Sequence, residues 1–341
     1  MKAIVCTHYG PPEVLERKEV AKPTPRDNEV LVKVSATTVT AGDSRVRSFT
    51  VPRSFWLPAC LTLGLSKPKK AIPGMVVAGE VEAVGKEVTH VKKGDQICAY
   101  DLTRLGAYAE YACVPENSAI AVKPSRITYE EAAAIPFGGI TALHFLRKGN
   151  IKSGQHVLIY GASGSVGTFA VQLARYFGAQ VTGVCSTSHV ALVTSLGADA
   201  VIDYTQEDVT RSGETYDMIF DTVGKSSLSG CLRALRQEGV YLQAVAEPAQ
   251  LVQMRWASMR SGKTLIGGTA TPKTEDLTYL TELVEAGKLQ PVIDRSYPLE
   301  QIVEAHRYVD QGYKKGNVVI TVQQNHHTWC LTIDRSTRIV P

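Results

Sequence analysis

The chain has 341 residues, of which 44% are hydrophobic and 21% charged, with a formal net charge of +4. That length suits two globular domains and a sizeable buried core. Its lysines and arginines are scattered, with no basic run interleaved with aromatics, so nucleic acid is not an expected partner.

The amino terminus, Met1-Lys-Ala-Ile-Val-Cys6, reads as a strand, because its apolar run is too short for a signal h-region. The seven cysteines form no C-x-x-C pair, and free thiols in a cytoplasmic protein are the expectation. Up to about Ser125 the sequence is strand-like and punctuated by proline and glycine, as in Glu29 to Val34, Gly79 to Val84 and Ala107 to Val114. This pattern predicts a β-rich, partly open barrel. Phe55 to Leu65 is the most apolar irregular stretch, but it contains Pro58 and falls well short of the roughly 20 residues a membrane helix needs. No membrane span is expected. Phe55, Trp56 and Tyr100 are candidates to line an apolar pocket, with ordinary core packing as the other reading.

Tyr129 to Leu146 reads as helical, interrupted at Pro136-Phe-Gly-Gly139, after which strands and helices alternate. The strands are His156 to Tyr160, Gln180 to Cys185, Ala200 to Tyr204, Tyr216 to Asp221, Gly239 to Val245 and Thr264 to Gly268. Strand and helix in turn predict a parallel, doubly wound sheet. Between the first strand and the helix from Thr168 to Arg175 lies Gly161-Ala-Ser-Gly164-Ser-Val-Gly167. Glycine permits the tight turn and close approach of backbone to a pyrophosphate, and the helix start offers unpaired N–H groups and the positive dipole end. Gly161, Ser163, Gly164, Ser165, Val166 and Gly167 are therefore candidate cofactor contacts; without those flanks the same pattern would suit a flexible loop. Leu277 to Ala286 and Leu299 to Val309 then read as helices around a short strand, Val292 to Tyr297, and Asn317 to Val322 is the last strand. These late elements are expected to return to the first domain. Residues 323–341 show no periodicity and read as a disordered or extraneous tail, where the adjacent His326 and His327 lack a third metal ligand.

Five motifs resemble those of the medium-chain dehydrogenase/reductase superfamily, over nearly the whole chain to Val322. They are Gly74 to Gly85, Val91-Lys-Lys-Gly-Asp95, Gly106-Ala-Tyr-Ala-Glu-Tyr111, Ala132-Ala-Ala-Ile-Pro136 with Thr141-Ala142, and the glycine turn followed by Ala170-Val-Gln-Leu-Ala174. Within it, the sequence is similar to the zinc-independent quinone oxidoreductase and enone reductase branch. The resemblance implies an α/β fold. A GroES-like, β-rich catalytic domain (1–124 and 270–322) would lie beside a Rossmann domain (125–269), with the active site in the cleft between them. It also implies a homodimer formed through the edge strand Thr264 to Gly268.

Where zinc alcohol dehydrogenases place two cysteines and a histidine around the catalytic metal, local alignment puts Thr40, Met75 and Phe137. A hydroxyl, a thioether and a phenyl ring cannot replace two thiolates and an imidazole around Zn²⁺. The four-cysteine structural lobe is missing as well, since Asp95 to Tyr111 holds only Cys98. No zinc is expected. In NAD-preferring relatives an acidic residue follows the second strand, whereas this chain has Cys185-Ser-Thr-Ser-His189. A carboxylate 4 Å from a 2′-phosphate would cost roughly 4 kcal/mol at an effective dielectric near 20, so its absence admits NADPH as cofactor. Ser186, Thr187 and Ser188 are candidate hydroxyl donors to that phosphate, or a Ser/Thr-rich turn. No Lys or Arg lies in this loop; a protonated His189 is a candidate substitute, with Tyr204 nearby.

Without a Lewis acid to help form an alkoxide, reduction of an electron-poor acceptor is the expected reaction. Hydride would pass from NADPH to a quinone or to the β-carbon of an enal or enone, helped mainly by positioning. The resemblance places the loop Thr37 to Arg47 beside the nicotinamide. There Thr40 is a candidate donor to the acceptor oxygen or a loop cap, and Asp43 is either a structural partner of Arg45 or Arg47 or a catalytic acid. Thr141, Val223, Gly224 and Thr269 are implied cofactor contacts, Val223 and Gly224 through their backbone. Two alternatives stand beside this reading: an NADPH-dependent enoyl-thioester reductase and a non-catalytic, crystallin-like NADPH-binding protein.

Overall fold

A computed structural model describes residues 1–50, 60–61, 63–64, 67–102, 106–207, 209, 213–244 and 246–322. The expectations for Phe55, Trp56, His326, His327 and the tail fall outside the described residues.

The amino-terminal half holds β1 (Lys2–Cys6), β2 (Leu15–Glu19), β3 (Glu29–Val39), α1 (Ala41–Ser48), β4 (Val76–Val84), β5 (Gln96–Tyr100), β6 (Tyr111–Pro115) and β7 (Ala119–Val122). α2 (Tyr129–Ala134) and α3 (Pro136–Lys148) lead into the alternating half: β8 (His156–Tyr160), α4 (Ser165–Tyr176), β9 (Gln180–Cys185), α5 (Val190–Ser195), β10 (Ala200–Asp203), β11 (Tyr216–Asp221), α6 (Leu228–Ala234), β12 (Leu235–Gln243), α7 (Pro248–Ser261) and β13 (Thr264–Gly267). The chain closes with α8 (Thr274–Glu285), β14 (Ile293–Pro298), α9 (Ile302–Asp310) and β15 (Asn317–Thr321).

β3 is the spine of the first sheet. Its early residues pair with β4 on one side and β6 on the other, while Ala36 to Val39 pair with β15. The full order is β14-β15-β3-β4-β5-β7 with β6 on β3, so the last two strands do return to the first sheet. Register shifts in the β3–β4 ladder bend it, as bulges do. The alternation from Ala107 to Val114 does not make one strand. Ladder pairing begins at Tyr111, because the residues before it turn to the amino terminus: Ile4 N–H donates to Tyr108 O at 2.8 Å, and Ala109 bridges Ala3.

The second sheet runs β10-β9-β8-β11-β12-β13 with every pair parallel; its central strands β8 and β11 are buried runs, while the edge strands β10 and β13 are only partly buried. Chain order reverses between β8 and β11, which opens a crevice at their carboxyl ends. One structural difference from the sequence reading concerns Pro136-Phe-Gly-Gly139. The break falls one residue earlier, at Ile135, where α2 ends; Pro136 occupies the first turn of α3, where its missing N–H costs nothing. Gly138 and Gly139 lie inside α3. A Cβ at Gly138 would sit 2.2 Å from Ser165 O, so that glycine serves the close packing of α3 on α4.

A single apolar cluster runs from Met75, Val76 and Tyr100 in the first sheet through Ile140, Leu143 and Phe169 to Val157 and Val181 in the second. Leu277 and Leu280 of α8 join it. The two sheets are thus fixed to each other through packed side chains, which holds the loops at their junction in a defined relation.

Candidate active site

The glycine turn sits at the crevice between β8 and β11. Gly161 N–H and Ala162 N–H both donate to Val184 O, at 3.1 and 3.0 Å, and Thr222 Oγ1 donates to Tyr160 O at 2.9 Å, which locks β8, β9 and β11 together where they end. Gly161 needs its left-handed φ of 80°, and a Cβ at Gly167 would fall 2.0 Å from Gly161 O. Gly164 differs: a Cβ there meets only Gly161 O, at 3.5 Å, and otherwise points into free space. It is also the residue before α4, whose start no side chain caps. A half-exposed glycine cradle in front of an uncapped helix fits a dinucleotide pyrophosphate. Ser165 and Val166 open that helix, while Ser163 is buried with Oγ 2.9 Å from His189 Nδ1.

Beside the carboxyl end of β8, a cavity of about 430 Å³ is lined by Tyr160, Tyr204, Thr205, Gln206, Lys225 and Ser226, among others. Tyr204 is half exposed there, so this sequence-predicted residue does lie at the crevice. The side chains of the loop after β9 are held by their neighbours. Thr187 Oγ1 donates to Asp203 Oδ2 and also lies 3.0 Å from Thr205 Oγ1. Thr187 is therefore engaged, and a carboxylate does reach this loop, from the end of β10. Hydrogen bonds from Thr187 and Thr205 hold the Asp203 carboxyl below its ordinary range. Ser186 and Ser188 contact each other at 3.3 Å. His189 does not stand in for arginine either: it is buried against Ser163, and burial, then Lys315, push its imidazole below the usual range.

Thr40 and Asp43 belong to one capping box. Thr40 N–H and Oγ1–H donate to Asp43 Oδ2 at 2.8 and 2.6 Å, and Asp43 N–H donates back to Thr40 Oγ1 at 3.1 Å. Among the described residues Asp43 has no arginine partner; Arg47 instead reaches Asp310 Oδ2 at 2.7 Å. Burial pushes the Asp43 carboxyl up to about 6, against the opposing effect of the Thr40 hydrogen bonds. Met75 lies beside Thr40, since a Cβ at Gly42 would be 3.1 Å from Met75 Sδ and 3.3 Å from Thr40 Oγ1. Tyr100 meets Phe137 edge to face at 6.0 Å, and both belong to the apolar cluster that contains Met75. Thr40, Met75 and Phe137 thus supply no anionic or nitrogen donor. Among the described residues no group of three His, Cys, Asp or Glu side chains converges as a metal site.

Thr141 is half-buried on α3 and donates to Phe137 O at 2.7 Å, so its hydroxyl offers lone pairs only. Val223 N–H and Gly224 N–H donate to Asp221 Oδ1 at 2.9 and 2.7 Å, so both backbone donors are already engaged. Thr269 is exposed just past β13. The close contact of Gly138 with Ser165 brings α3, with Phe137 and Thr141, against the start of α4.

The sequence reading missed a segment that arrives from the carboxyl-terminal part. Gly316 N–H donates to Ser163 O at 2.7 Å, Ser165 Oγ donates to Gly316 O at 2.8 Å, and Lys314 Nζ donates to Ser165 Oγ at 2.5 Å. The only trace in the sequence is the turn Gly312-Tyr-Lys-Lys-Gly316 ahead of the last strand.

A parallel sheet with this strand order and a glycine turn at its reversal, packed against a curved β sheet, is the architecture of a dinucleotide-binding fold. Residues 26–124 match the family described as alcohol dehydrogenase GroES-like domain, and residues 196–320 the family described as zinc-binding dehydrogenase. The chain is 32% identical over 336 residues to 2-methylene-furan-3-one reductase of Solanum lycopersicum, covering 94% of this chain and 79% of that protein. It is also 32% identical over 326 residues to human quinone oxidoreductase, covering 92% of this chain and 94% of the relative. The quinone oxidoreductase of Coxiella burnetii superposes with a TM-score of 0.85 at 28% identity, covering 95% of this chain and 99% of that one. The chain belongs to the medium-chain dehydrogenase/reductase superfamily.

Proposed function

We propose that this protein is an NADPH-dependent reductase of quinones or α,β-unsaturated carbonyls that works without zinc. The observation that carries this reading is the open cradle at Gly164, which faces an uncapped helix start while α3 brings Phe137 and Thr141 beside it. Support for the acceptor class comes from relatives named quinone oxidoreductase and 2-methylene-furan-3-one reductase. NADPH is supported by the Arabidopsis thaliana relative named NADPH-dependent alkenal/one oxidoreductase, 29% identical over 332 residues. Residues 125–269 form the nucleotide unit in this reading, and 1–124 with 270–322 the catalytic unit.

Bound NADPH supplies the hydride. The protein's own task is to hold the acceptor against the cofactor and keep water out, which Met75, Tyr100 and Phe137 do as apolar surface. Ser186 and Ser188 serve the 2′-phosphate and Tyr204 the adenosine end; Thr141, Val223, Gly224 and Thr269 meet the nicotinamide half. Thr40 acts on the acceptor oxygen in the state where Asp43 carries a proton. Only then is the Thr40 hydroxyl hydrogen free to leave the Asp43 carboxylate and turn outward.

The donor set, a hydroxyl already used by Asp43, a thioether and a phenyl ring, does not suit Zn²⁺. A homodimer through β13 and a cytoplasmic location belong to the same proposal. The test is NADPH oxidation over a panel of quinones, enals and enones. Turnover with at least one class, and a higher kcat/KM with NADPH than with NADH, is expected. No oxidation with any acceptor would overturn the reductase reading; activity confined to acyl thioesters would replace it with an enoyl-thioester reductase.

A further inference from the structure

We propose that Lys314 is a clamp for the dinucleotide pyrophosphate, delivered by the carboxyl-terminal segment to the start of the nucleotide helix. The inference rests on the dinucleotide reading above and assigns a residue to it that lies about 150 positions from the glycine turn.

The turn that carries Lys314 is fixed against the glycine loop. Gly316 pairs with Gly164 as an isolated parallel bridge, its N–H donates to Ser163 O at 2.7 Å, and its carbonyl accepts from Ser165 Oγ at 2.8 Å. Lys314 Nζ then donates to Ser165 Oγ at 2.5 Å and to Gly316 O at 2.6 Å. Ser165 is the first residue of α4, so the ammonium stands at the positive end of that helix.

Two features make this an unusual place for a lysine. Both of its acceptors are neutral oxygens, and among the described residues no carboxylate lies within ion-pair distance of it. Asp294 on β14 is the carboxylate that acts on it from further away, and its Oδ2 is already occupied by Tyr308 Oη at 2.6 Å and Lys315 N–H at 3.0 Å. A four-carbon stem ordinarily carries its charge out to water, yet this one turns inward to a site where a helix dipole repels it. An anion bound at Gly164 removes that conflict, since it would meet the helix N–H groups and the ammonium together.

Burial pushes the Lys314 amine down to about 8, opposed by Asp294. A pyrophosphate beside it favours the charged form, so binding at a pH a little above 8 takes up a proton. The titratable groups around it are Asp294 and Tyr308, Lys315 in the same turn, and His189 on the loop after β9.

The experiment is calorimetric titration of the full chain with NADPH at a pH a little above 8, in two buffers of different ionisation heat. Adenosine 2′-monophosphate, which lacks the pyrophosphate, is the second probe. The parent protein should take up a fraction of a proton on binding NADPH and none on binding the monophosphate. Lys314→Met should raise the NADPH Kd by about tenfold or more, abolish the uptake and leave the monophosphate Kd within twofold. A proton uptake that persists unchanged in Lys314→Met overturns the clamp. So does a Lys314→Met Kd for NADPH within twofold of the parent, or an equal loss for both probes. A parent that binds neither NADPH nor NADH instead removes the dinucleotide reading itself.

Discussion

Gly164 and Gly167 stand three residues apart in one turn and answer to different demands. A Cβ at Gly167 would collide with Gly161 O at 2.0 Å and Ala162 Cα at 2.7 Å, so the fold itself excludes a side chain there. Gly164 has φ −80° and ψ 178°, a conformation any residue adopts, and a Cβ there has only Gly161 O near it, at 3.5 Å. Its smallness is of use only to something that comes close from outside. Gly164→Ala should therefore keep the parent's Tm within a degree or two while weakening NADPH binding about tenfold or more. Gly167→Ala should instead lower stability by about 3 kcal/mol or more, through backbone overlap that cannot relax cheaply. Thermal melts together with NADPH titration of both variants separate the two roles. Equal destabilisation by both would refute the assignment of Gly164 to the ligand. This turn was legible in the sequence because strand, turn and helix are contiguous. Thr187 and Asp203 were not, since their contact joins two loops that sequence keeps 16 positions apart.

α1 shows how a helix start can override side-chain spacing. Asp43 and Arg47 are four residues apart, the distance at which a helical ion pair forms. Yet Asp43 is the third residue of α1 and closes a capping box with Thr40, which satisfies backbone donors that the pair would leave open. Arg47, 3% exposed, turns to Asp310 at the end of α9, 263 positions away. Its Nε and Nη1, and both ring nitrogens of His306 on the same helix, are buried without a hydrogen-bond partner among the described residues. Burial, and then Arg47, push the His306 imidazole down to about 3, so it stays neutral beside Tyr108, whose ring it meets edge to face at 5.7 Å. Among the described residues Asp310 is the carboxylate within ion-pair distance of Arg47. Asp310→Ala should cost about 2 to 4 kcal/mol, because it strands a buried guanidinium. Arg47→Met should cost less, since the Asp310 left behind is 34% exposed and can hydrate. Urea denaturation of the two variants gives the order; Arg47→Met as the more damaging change would sink the argument. Elements with local signals, such as β8, β9, β11 and the helix after the glycine turn, could be read directly from hydrophobic period, whereas β12 starts at Leu235, four residues before the expected Gly239. Long-range partners such as Asp310 and Lys314 could not, because nothing in their neighbours' spacing points to them.

At the scale of the whole molecule, the second sheet ends on β13, which pairs with β12 on one side only. An unpaired strand edge invites pairing, and nothing about Thr264 to Gly267, which carries no charge, discourages it. Beside it, α7 exposes Val252 at 59%, Trp256 at 59% and Met259 at 75%, spaced four and three residues apart so that they share one face. α7 packs on β13, so edge and apolar face form a continuous surface. A two-fold axis through that surface would pair β13 with its counterpart antiparallel and cover the tryptophan of each copy. This is the closed, self-complementary arrangement that most homodimers adopt. The expected mass in solution is that of two chains. Trp256→Glu removes the largest apolar anchor and buries a charge in its place, which should weaken association by at least about 30-fold. Turnover per chain should persist, because none of the three residues belongs to the cleft. Sedimentation at a series of micromolar concentrations measures both species. A parent protein that remains monomeric throughout would show that this surface has another use, and a dimer unmoved by Trp256→Glu would place the contact elsewhere on the molecule.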